Sequence, residues 1–175
     1  MTHETKLYRD SRKSLKLLIT AAGICILLIG IFLHSVGLFD GLIRIKSAVF
    51  AGAILLIMLF LFFKALVELK DKSARIVLNS AHFVGKTTPL SQKFGIGDWD
   101  DVSNIGLHKV GGDTLVVVTI NNPSKYADRL PKALWNMAYN EQTNELNVMH
   151  SSSEIDVNPD GLFELFTSYW QKSKV

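Results

Sequence analysis

Apolar side chains are distributed unevenly along this chain, and the first seventy residues hold two long apolar runs. The runs cover residues 17–39 and 47–69. A helix of about 23 residues, with a rise of roughly 1.5 Å per residue, reaches about 34 Å and crosses a hydrocarbon core of roughly 30 Å. Only residues 40–46 separate the runs, and so short a connection makes two helices return antiparallel. The pattern predicts a transmembrane helical hairpin over residues 17–69.

Past residue 70 the apolar positions form short runs separated by turn residues, which is typical of β-strands. The strongest signal is a hairpin in which residues 102–110 and 114–120 flank Gly111-Gly112-Asp113. Residues 114–120 are apolar on both faces, which indicates a central strand. The other predicted strands cover residues 74–78, 82–88, 95–99, 133–139 and 145–149.

The last segment has the spacing of an amphipathic helix. Asn158 suits the N-cap and Pro159 the first helical position. Phe163, Phe166 and Trp170 then recur with helical spacing on one apolar face. Short strands followed by one such helix predict an α+β fold, in which a PH-like antiparallel β-barrel of about seven strands carries a C-terminal capping helix.

Charge divides the chain as hydropathy does. The 175-residue chain has a formal charge of +3, and residues 1–16 hold five basic residues against two acidic ones. Residues 76–175 hold eight basic and eleven acidic residues, and this mildly acidic balance argues against nucleic acid as a partner. We therefore assign residues 1–16 to a basic N-terminus, residues 17–69 to the hairpin and residues 70–175 to a separate domain.

The basic residues also predict the orientation of the hairpin. Five precede the first apolar run, four lie at or just past the end of the second, and two lie in the connection. By the positive-inside rule, both termini and the domain are cytoplasmic. The first run is longer than the apolar core of a signal peptide and no A-x-A-like site follows it, so we expect an uncleaved, multi-pass anchor in contact with membrane lipids.

Small residues mark a candidate packing surface inside the hairpin. Gly23, Gly30 and Gly37 recur every seven residues and share one helix face. Ala48 and Gly52 form a small-xxx-small pair in the second helix. Because close helix contact in lipid favours small residues, we expect these positions to pack the two helices together. The alternative partner for the stripe is a second copy of the chain, in a homodimer.

Two groupings of polar residues resemble binding sites but lack parts that such sites need. Gly85-Lys86-Thr87-Thr88 resembles the end of a phosphate loop, yet Ser80 stands where that motif needs its first glycine. Asp98, Asp100 and Asp101 surround a tryptophan, but their spacing fits no calcium loop. A solvated turn is the simpler interpretation of these carboxylates.

A catalytic set is also missing from the pattern. His82 and His108 have no nucleophile to activate, because the single cysteine, Cys25, lies in the first apolar run and no serine shows an elbow motif. We therefore expect no enzyme activity, no metal and no cofactor.

The basic residues of the domain remain as candidates for contact with a ligand or with anionic lipid head groups. Ordinary solvated charges are the alternative interpretation. The candidate contact residues are Lys86, Lys93, Lys125, Arg129 and Lys132.

Four segments resemble a known group of proteins, namely residues 8–13, 96–102, 120–126 and 155–158. On these segments the chain resembles small uncharacterised bacterial inner-membrane proteins, which have two N-terminal transmembrane helices and a PH-like cytoplasmic domain. The resemblance implies this architecture and location. It implies neither an activity nor catalytic residues.

Two classes of function fit these features. We expect a non-enzymatic protein whose domain binds a protein partner at the inner membrane face, and a toxin-immunity protein is one version of this hypothesis. The alternative is a two-helix membrane effector whose small barrel senses a cyclic nucleotide in anti-phage signalling. Such a sensor needs a basic, aromatic pocket, and the acidic balance of the domain weighs against it.

Overall fold

The computed structural model describes residues 4–174, apart from the side chains of Leu17 and Glu68. The chain forms two compact units. One consists of residues 11–72. The other draws on both flanks of the first, from residues up to 10 and from residues 73 onward. The second unit therefore includes part of residues 1–16, which the charge pattern assigns to a separate basic N-terminus.

The first unit is a pair of long helices, α1 (Ser11–Ser35) and α2 (Ile45–Leu69). Both are long and apolar enough to cross a membrane. Only 6% of the most apolar window of each helix is buried, so neither resembles the core helix of a soluble protein. Side chains such as Ile26, Phe50 and Phe60 are 69–70% exposed. Helices that are apolar on all sides, yet unburied, are typical of membrane spans.

The two helices contact each other along stripes that repeat about every 3.5 residues, the spacing of left-handed helix pairs. The more buried positions include 14, 18, 21, 25, 28, 32 and 35 in α1, and 48, 51, 55, 58, 62, 65 and 69 in α2. Small residues are the most buried of these: Cys25, Ser35 and Ala51 are 6%, 3% and 5% exposed. Beside them, a Cβ added at Gly52 would lie 3.3 Å from Cε2 of Phe32.

Gly23 and Gly30 lie away from this contact, although the sequence pattern places both of them in the surface that packs the two helices together. A Cβ built at either glycine meets nothing within 4 Å. Gly37 has a different role, because its φ of 83° places it in the left-handed region beyond the end of α1. There it closes a Schellman motif, in which the N–H of Leu38 donates to the carbonyl of Leu33 at 3.1 Å. The helix consequently ends earlier than the apolar run that predicts it.

Within residues 4–174, the second unit contains eight strands in two antiparallel four-stranded sheets. The first sheet has the order β1-β2-β3-β4, formed by Thr5–Leu7, Ile76–Leu78, His82–Gly85 and Ile96–Asp98. The second has the order β5-β6-β8-β7, formed by β5 Val102–Val110, β6 Asp113–Ile120, β7 Tyr139–Asn140 and β8 Glu145–Ser151. The sheets do not join into a closed barrel, which corrects the predicted barrel.

The strand that the sequence pattern does not predict is β1. It pairs antiparallel with β2, so that Thr5 lies opposite Leu78. A little further on, Arg9 forms an isolated bridge with Ile155. The guanidinium of Arg9 also donates to Oε2 of Glu154 at 2.8 Å. The N-terminal segment is thus an integral part of the folded domain.

A short helix, α3 (Pro89–Phe94), follows β3. It begins at a capping box, in which the N–H of Ser91 donates to Oγ1 of Thr88 and the N–H of Thr88 donates to Oγ of Ser91, both at 3.0 Å. Proline at the first helical position reinforces this start. The predicted strand over residues 82–88 therefore ends at Gly85.

The predicted strand over residues 133–139 is wrong, because this segment forms helix α4 (Lys132–Ala138). The N–H of Trp135 donates to the carbonyl of Pro131 at 2.9 Å and closes the first turn. Alanine, leucine and methionine within the segment all have high helix propensity. Only β7 then remains to pair with β8 at that end of the sheet.

The predicted C-terminal helix is present as α5 (Pro159–Ser173), and Asn158 caps it by accepting a hydrogen bond from the N–H of Gly161 at 2.7 Å. Phe166 is fully buried, and its ring centroid lies 5.8 Å from that of Phe83 and 6.0 Å from that of Trp99. The helix therefore covers an aromatic core shared by both sheets.

Candidate functional site

Lys125 is one of the predicted contact residues, and its ammonium group is bound by carboxylates of the domain itself. It lies on a 3₁₀ segment, Pro123–Arg129, that follows β6. Its Nζ donates to Oδ2 of Asp98 at 2.6 Å and to Oδ2 of Asp101 at 2.7 Å. This lysine joins the segment after β6 to the turn between β4 and β5.

Arg129, on the same segment, is also bound internally. Its NH1 donates to the carbonyl of Ile96 at 2.6 Å and to that of Phe94 at 3.3 Å. The guanidinium carbon lies 4.7 Å from the ring centroid of Tyr126. These contacts hold the segment against β4 and the end of α3.

Asp101 is the centre of this cluster, since it also accepts a hydrogen bond from the hydroxyl of Tyr126 at 2.5 Å. Burial acts to raise the pKa of Asp101, but the hydrogen bonds from Lys125 and Tyr126 outweigh it and lower the pKa below its ordinary value. Burial and the bond to the carboxylate raise the pKa of Tyr126 to about 12. All three groups therefore keep their ordinary charge at neutral pH, as in a structural ion pair rather than a proton-transfer pair.

The other three predicted contact residues lie on separate elements. Lys86 follows β3, Lys93 lies in α3, and Lys132 begins α4. All three are exposed, and their ammonium groups form no hydrogen bond or ion pair with other described residues. Their exposure and lack of partners among the described residues are typical of solvated surface charges.

The segment that resembles a phosphate loop serves to join the two sheets. Oγ1 of Thr88 donates to the carbonyl of Met149 at 2.7 Å, and Oγ1 of Thr87 accepts from the N–H of Ser151 at 3.0 Å. Both hydroxyls are therefore occupied by the backbone of β8. Gly85 stands at the close approach, because a Cβ there would overlap the ring of His150.

His150 is the most unusual polar residue of the domain. It is fully buried, and within residues 4–174 neither ring nitrogen has a hydrogen-bond partner. Its ring centroid lies 4.8 Å from that of Phe166 and 5.9 Å from that of Phe83. Burial lowers the pKa of His150 to about 3, so the imidazole is neutral at physiological pH. A group so enclosed has no access to a substrate.

Sequence reasoning gave no role to His150, although a signal for its burial exists. In β8 the side chains alternate, so His150 shares a face with Leu146 and Val148, both fully buried. The alternation does not reveal which residues surround the ring. The ring lies against Phe83 of β3 and Phe166 of α5, which are distant in sequence and apolar.

A cleft of about 330 Å³ lies at the turn between β2 and β3, lined by Glu4 and residues 79–82. The turn satisfies its own polar groups: Oδ1 of Asn79 accepts from the N–H of Ala81 at 2.9 Å and from the N–H of His82 at 2.8 Å. This is an Asx turn, which accounts for the polar residues without a ligand.

Metal chemistry has no candidate site in residues 4–174, where no three His, Cys, Asp or Glu side chains come together as ligands. Cys25 is a free, buried thiol within α1.

No protein-family model matches the chain, and neither does any curated protein or solved structure. The resemblance to the bacterial inner-membrane group stays a prediction that rests on the four sequence segments and the two apolar helices.

Proposed function

We propose that this chain is a non-enzymatic protein of the bacterial inner membrane, whose PH-like cytoplasmic domain binds a protein partner at the membrane face. A toxin-immunity protein would be one version, in which the partner is a toxin. The observation that carries the topological part of the proposal is the pairing of β1 with β2, because it ties the two ends of an apolar hairpin to one folded domain.

The apolar exterior of α1 and α2 supports lipid contact. Large side chains on both helices are exposed, and a patch of this size on a soluble protein would be an aggregation site. In the connection between the helices, Arg44 donates to Oδ2 of Asp40 at 2.7 Å. An ion pair at the turn and apolar residues along the helices suit a hairpin whose turn lies outside the hydrocarbon.

The sheet supports an even number of crossings. The chain leaves the domain after residue 10 and returns to it at residue 73. Strands that are hydrogen-bonded to each other must lie on the same side of a bilayer. Because β1 precedes the hairpin and β2 follows it, both ends of the hairpin belong on one side of the membrane. Cleavage after α1 would detach β1 from the domain, which argues that the first helix is an anchor and not a removed signal peptide.

A PH-like arrangement is supported by two antiparallel sheets and a C-terminal helix that packs on their common core. The two sheets do not join into a barrel, so the proposed likeness rests on the two sheets and the covering helix alone. The cyclic-nucleotide alternative has weaker support, because Lys125 and Arg129 are committed to carboxylates and carbonyls of the domain itself.

Topology is the first test. Reporter fusions within residues 40–46 should give a periplasmic signal, and fusions after residue 174 a cytoplasmic one, because the basic flanks face the cytoplasm. A periplasmic signal from the C-terminal fusion would contradict the proposal.

Partner binding is the second test. Affinity purification of the detergent-solubilised full chain should yield one stoichiometric protein, and a control chain that ends at Lys72 should not retain it. Recovery of a cyclic nucleotide in place of a protein, detected by mass spectrometry of the same sample, would favour the effector alternative.

A further inference from the structure

Each sheet of the domain has two edges, and unpaired backbone groups at an edge are a template for an added strand. At the edge strand β4, side chains occupy these groups. The carbonyl of Ile96 accepts from Arg129 at 2.6 Å, and the N–H of Asp98 donates to the hydroxyl of Tyr126 at 3.3 Å. Two residues of the 3₁₀ segment thus block this edge.

The outer edge of β8 is blocked in the same manner. Where β7 no longer pairs with it, the carbonyl of Met149 accepts from Thr88 and the N–H of Ser151 donates to Thr87. The edge strand β1 is only three residues long, and the chain beyond it bridges to Ile155. Short strands and side-chain caps are common protections against edge pairing.

The edge strand β5 differs from these three. It is nine residues long and, within residues 4–174, pairs only with β6. The register is irregular only between Val102 and Asn104 and continues without a break to Val110. No other described backbone or side-chain group bonds to the backbone of residues 103–110. Alternate residues of an antiparallel edge strand direct both backbone groups outward, so β5 presents a row of unpaired donors and acceptors.

The side chains of β5 indicate what kind of strand would fit. Leu107 and Val110 are 38% and 51% exposed, which gives an added strand apolar neighbours. His108 and Lys109 are exposed, and the strand holds no acidic residue. Lys109 forms no ion pair with a described residue, so its charge is available to a carboxylate on a neighbouring strand.

We infer that the edge of β5 is the docking site for an extended segment of the partner protein, which adds to the second sheet as a strand. The segment carries a carboxylate opposite Lys109 and apolar side chains beside Leu107 and Val110. A second copy of this chain is a poorer occupant, because its own β5 brings another lysine and no acidic residue. This inference rests on the proposed function and names the surface that performs it.

The test uses the full chain in lipid nanodiscs and a phage-displayed library of short random peptides. Selected peptides should carry apolar residues three positions apart, to lie beside Leu107 and Val110, with Asp or Glu between them. When such a synthetic peptide is bound, hydrogen exchange should slow at the amides of residues 103–110 and not at those of β1 or β4. Lys109→Glu should weaken peptide binding by about tenfold, because it replaces attraction with repulsion. The matched control Lys93→Glu, also an exposed lysine, should change binding by less than about twofold.

Several outcomes would overturn the inference. Selected peptides that protect another surface would overturn it, and a selection that yields no peptide specific for the chain would also overturn it. Neither outcome would contradict the proposed function. A free protein that is dimeric by light scattering, with residues 103–110 already protected, would assign the edge to a second copy. Failure of the proposed function would appear separately, as the absence of a protein partner in the affinity purification.

Discussion

The hairpin and the domain use the same apolar residue types in opposite ways. In the domain, Phe83, Phe94 and Phe166 are fully buried, whereas in the hairpin Phe50 and Phe60 are 69–70% exposed. Burial from water is the main source of stability for the domain. Between helices in lipid that driving force is absent, so a hairpin in the proposed membrane location depends on close packing at small residues. The comparison therefore separates a domain that encloses its large apolar side chains from a hairpin that leaves many of them uncovered.

The largest expected effect contrasts one phenylalanine from each region. Phe166→Ala should lower the free energy of unfolding of the domain by about 3–5 kcal/mol, because it leaves a cavity among Phe83, Trp99 and His150. Phe60→Ala in α2 should change it by less than about 0.5 kcal/mol, because the side chain lies outside the packed contact. Chemical unfolding in detergent measures both, and all three tryptophans that report it lie in the domain.

If Phe166→Ala melted like the parent chain, α5 would be an appendage and the shared aromatic core would not be its anchor. A loss with Phe60→Ala as large as with Phe166→Ala would show that the exposed face of α2 packs on protein.

The next effect sharpens the account of hairpin packing. Gly52→Leu should destabilise the hairpin by about 1–3 kcal/mol, because even a Cβ there lies 3.3 Å from the ring of Phe32. Gly30→Leu should have little effect, because that position opens onto empty space. Thermal aggregation of the detergent-solubilised variants gives the comparison. The packing surface predicted from the sequence includes both glycines and requires a loss with both variants, so a loss with Gly30→Leu as large as that with Gly52→Leu would support it.

A third effect depends on pH and belongs to the domain alone. The pKa of His150 is about 3 in the folded state, against about 6.5 in an unfolded chain, so the unfolded state binds the proton first. The contribution of His150 is complete above about pH 6.5 and declines as the pH falls toward 3. At pH 5 the loss should be about 2 kcal/mol, measured by unfolding at both pH values.

The matched control for this effect is His150→Leu, which keeps an apolar group of similar size in the core. It should flatten the stability profile between pH 5 and pH 7, and an unchanged slope would assign the acid sensitivity to another group. The lowered pKa of Asp101 acts in the same direction but only near and below its ordinary value of about 3.8, which separates the two.

The smallest effect concerns the ion pairs at the surface of the domain. Lys125→Met should cost less than about 1 kcal/mol, because the lysine side chain is 40% exposed and water screens its bonds to the carboxylates. Lys93→Met serves as the unpaired control and should leave the melting temperature unchanged. A cost well above that of an exposed pair would mean that Lys125 holds the 3₁₀ segment in place cooperatively.

The features that sequence reasoning anticipated are those with strong local signals. Two long apolar runs gave the hairpin, Gly111-Gly112 gave the β5–β6 hairpin, and Asn158-Pro159 gave the start of α5. Each signal lies within the element that it specifies. The capping box at Thr88 and Ser91 is a comparable local signal for α3, one that the strand-like pattern of residues 82–88 obscured.

The features that sequence reasoning missed depend on distant contacts. The three residues of β1 are too few to show a period, and their partner strand lies beyond the whole hairpin. Residues 133–139 have an apolar pattern that fits a strand and residue types that favour a helix. The hydrogen bond from the N–H of Trp135 to the carbonyl of Pro131 closes a first turn and stabilises the helix. The open edge of β5 becomes visible only when the caps on the other edges are known.

The pairing of β1 with β2 also bears on how the protein is made. A ribosome synthesises Thr5 long before Leu78, and α1 and α2 emerge between them. The first strand must therefore remain unpaired until both helices have left the ribosome. If the hairpin inserts as proposed, the sheet is completed only after insertion, and a chain whose helices fail to return to the starting side would expose an unfinished sheet to quality-control proteases.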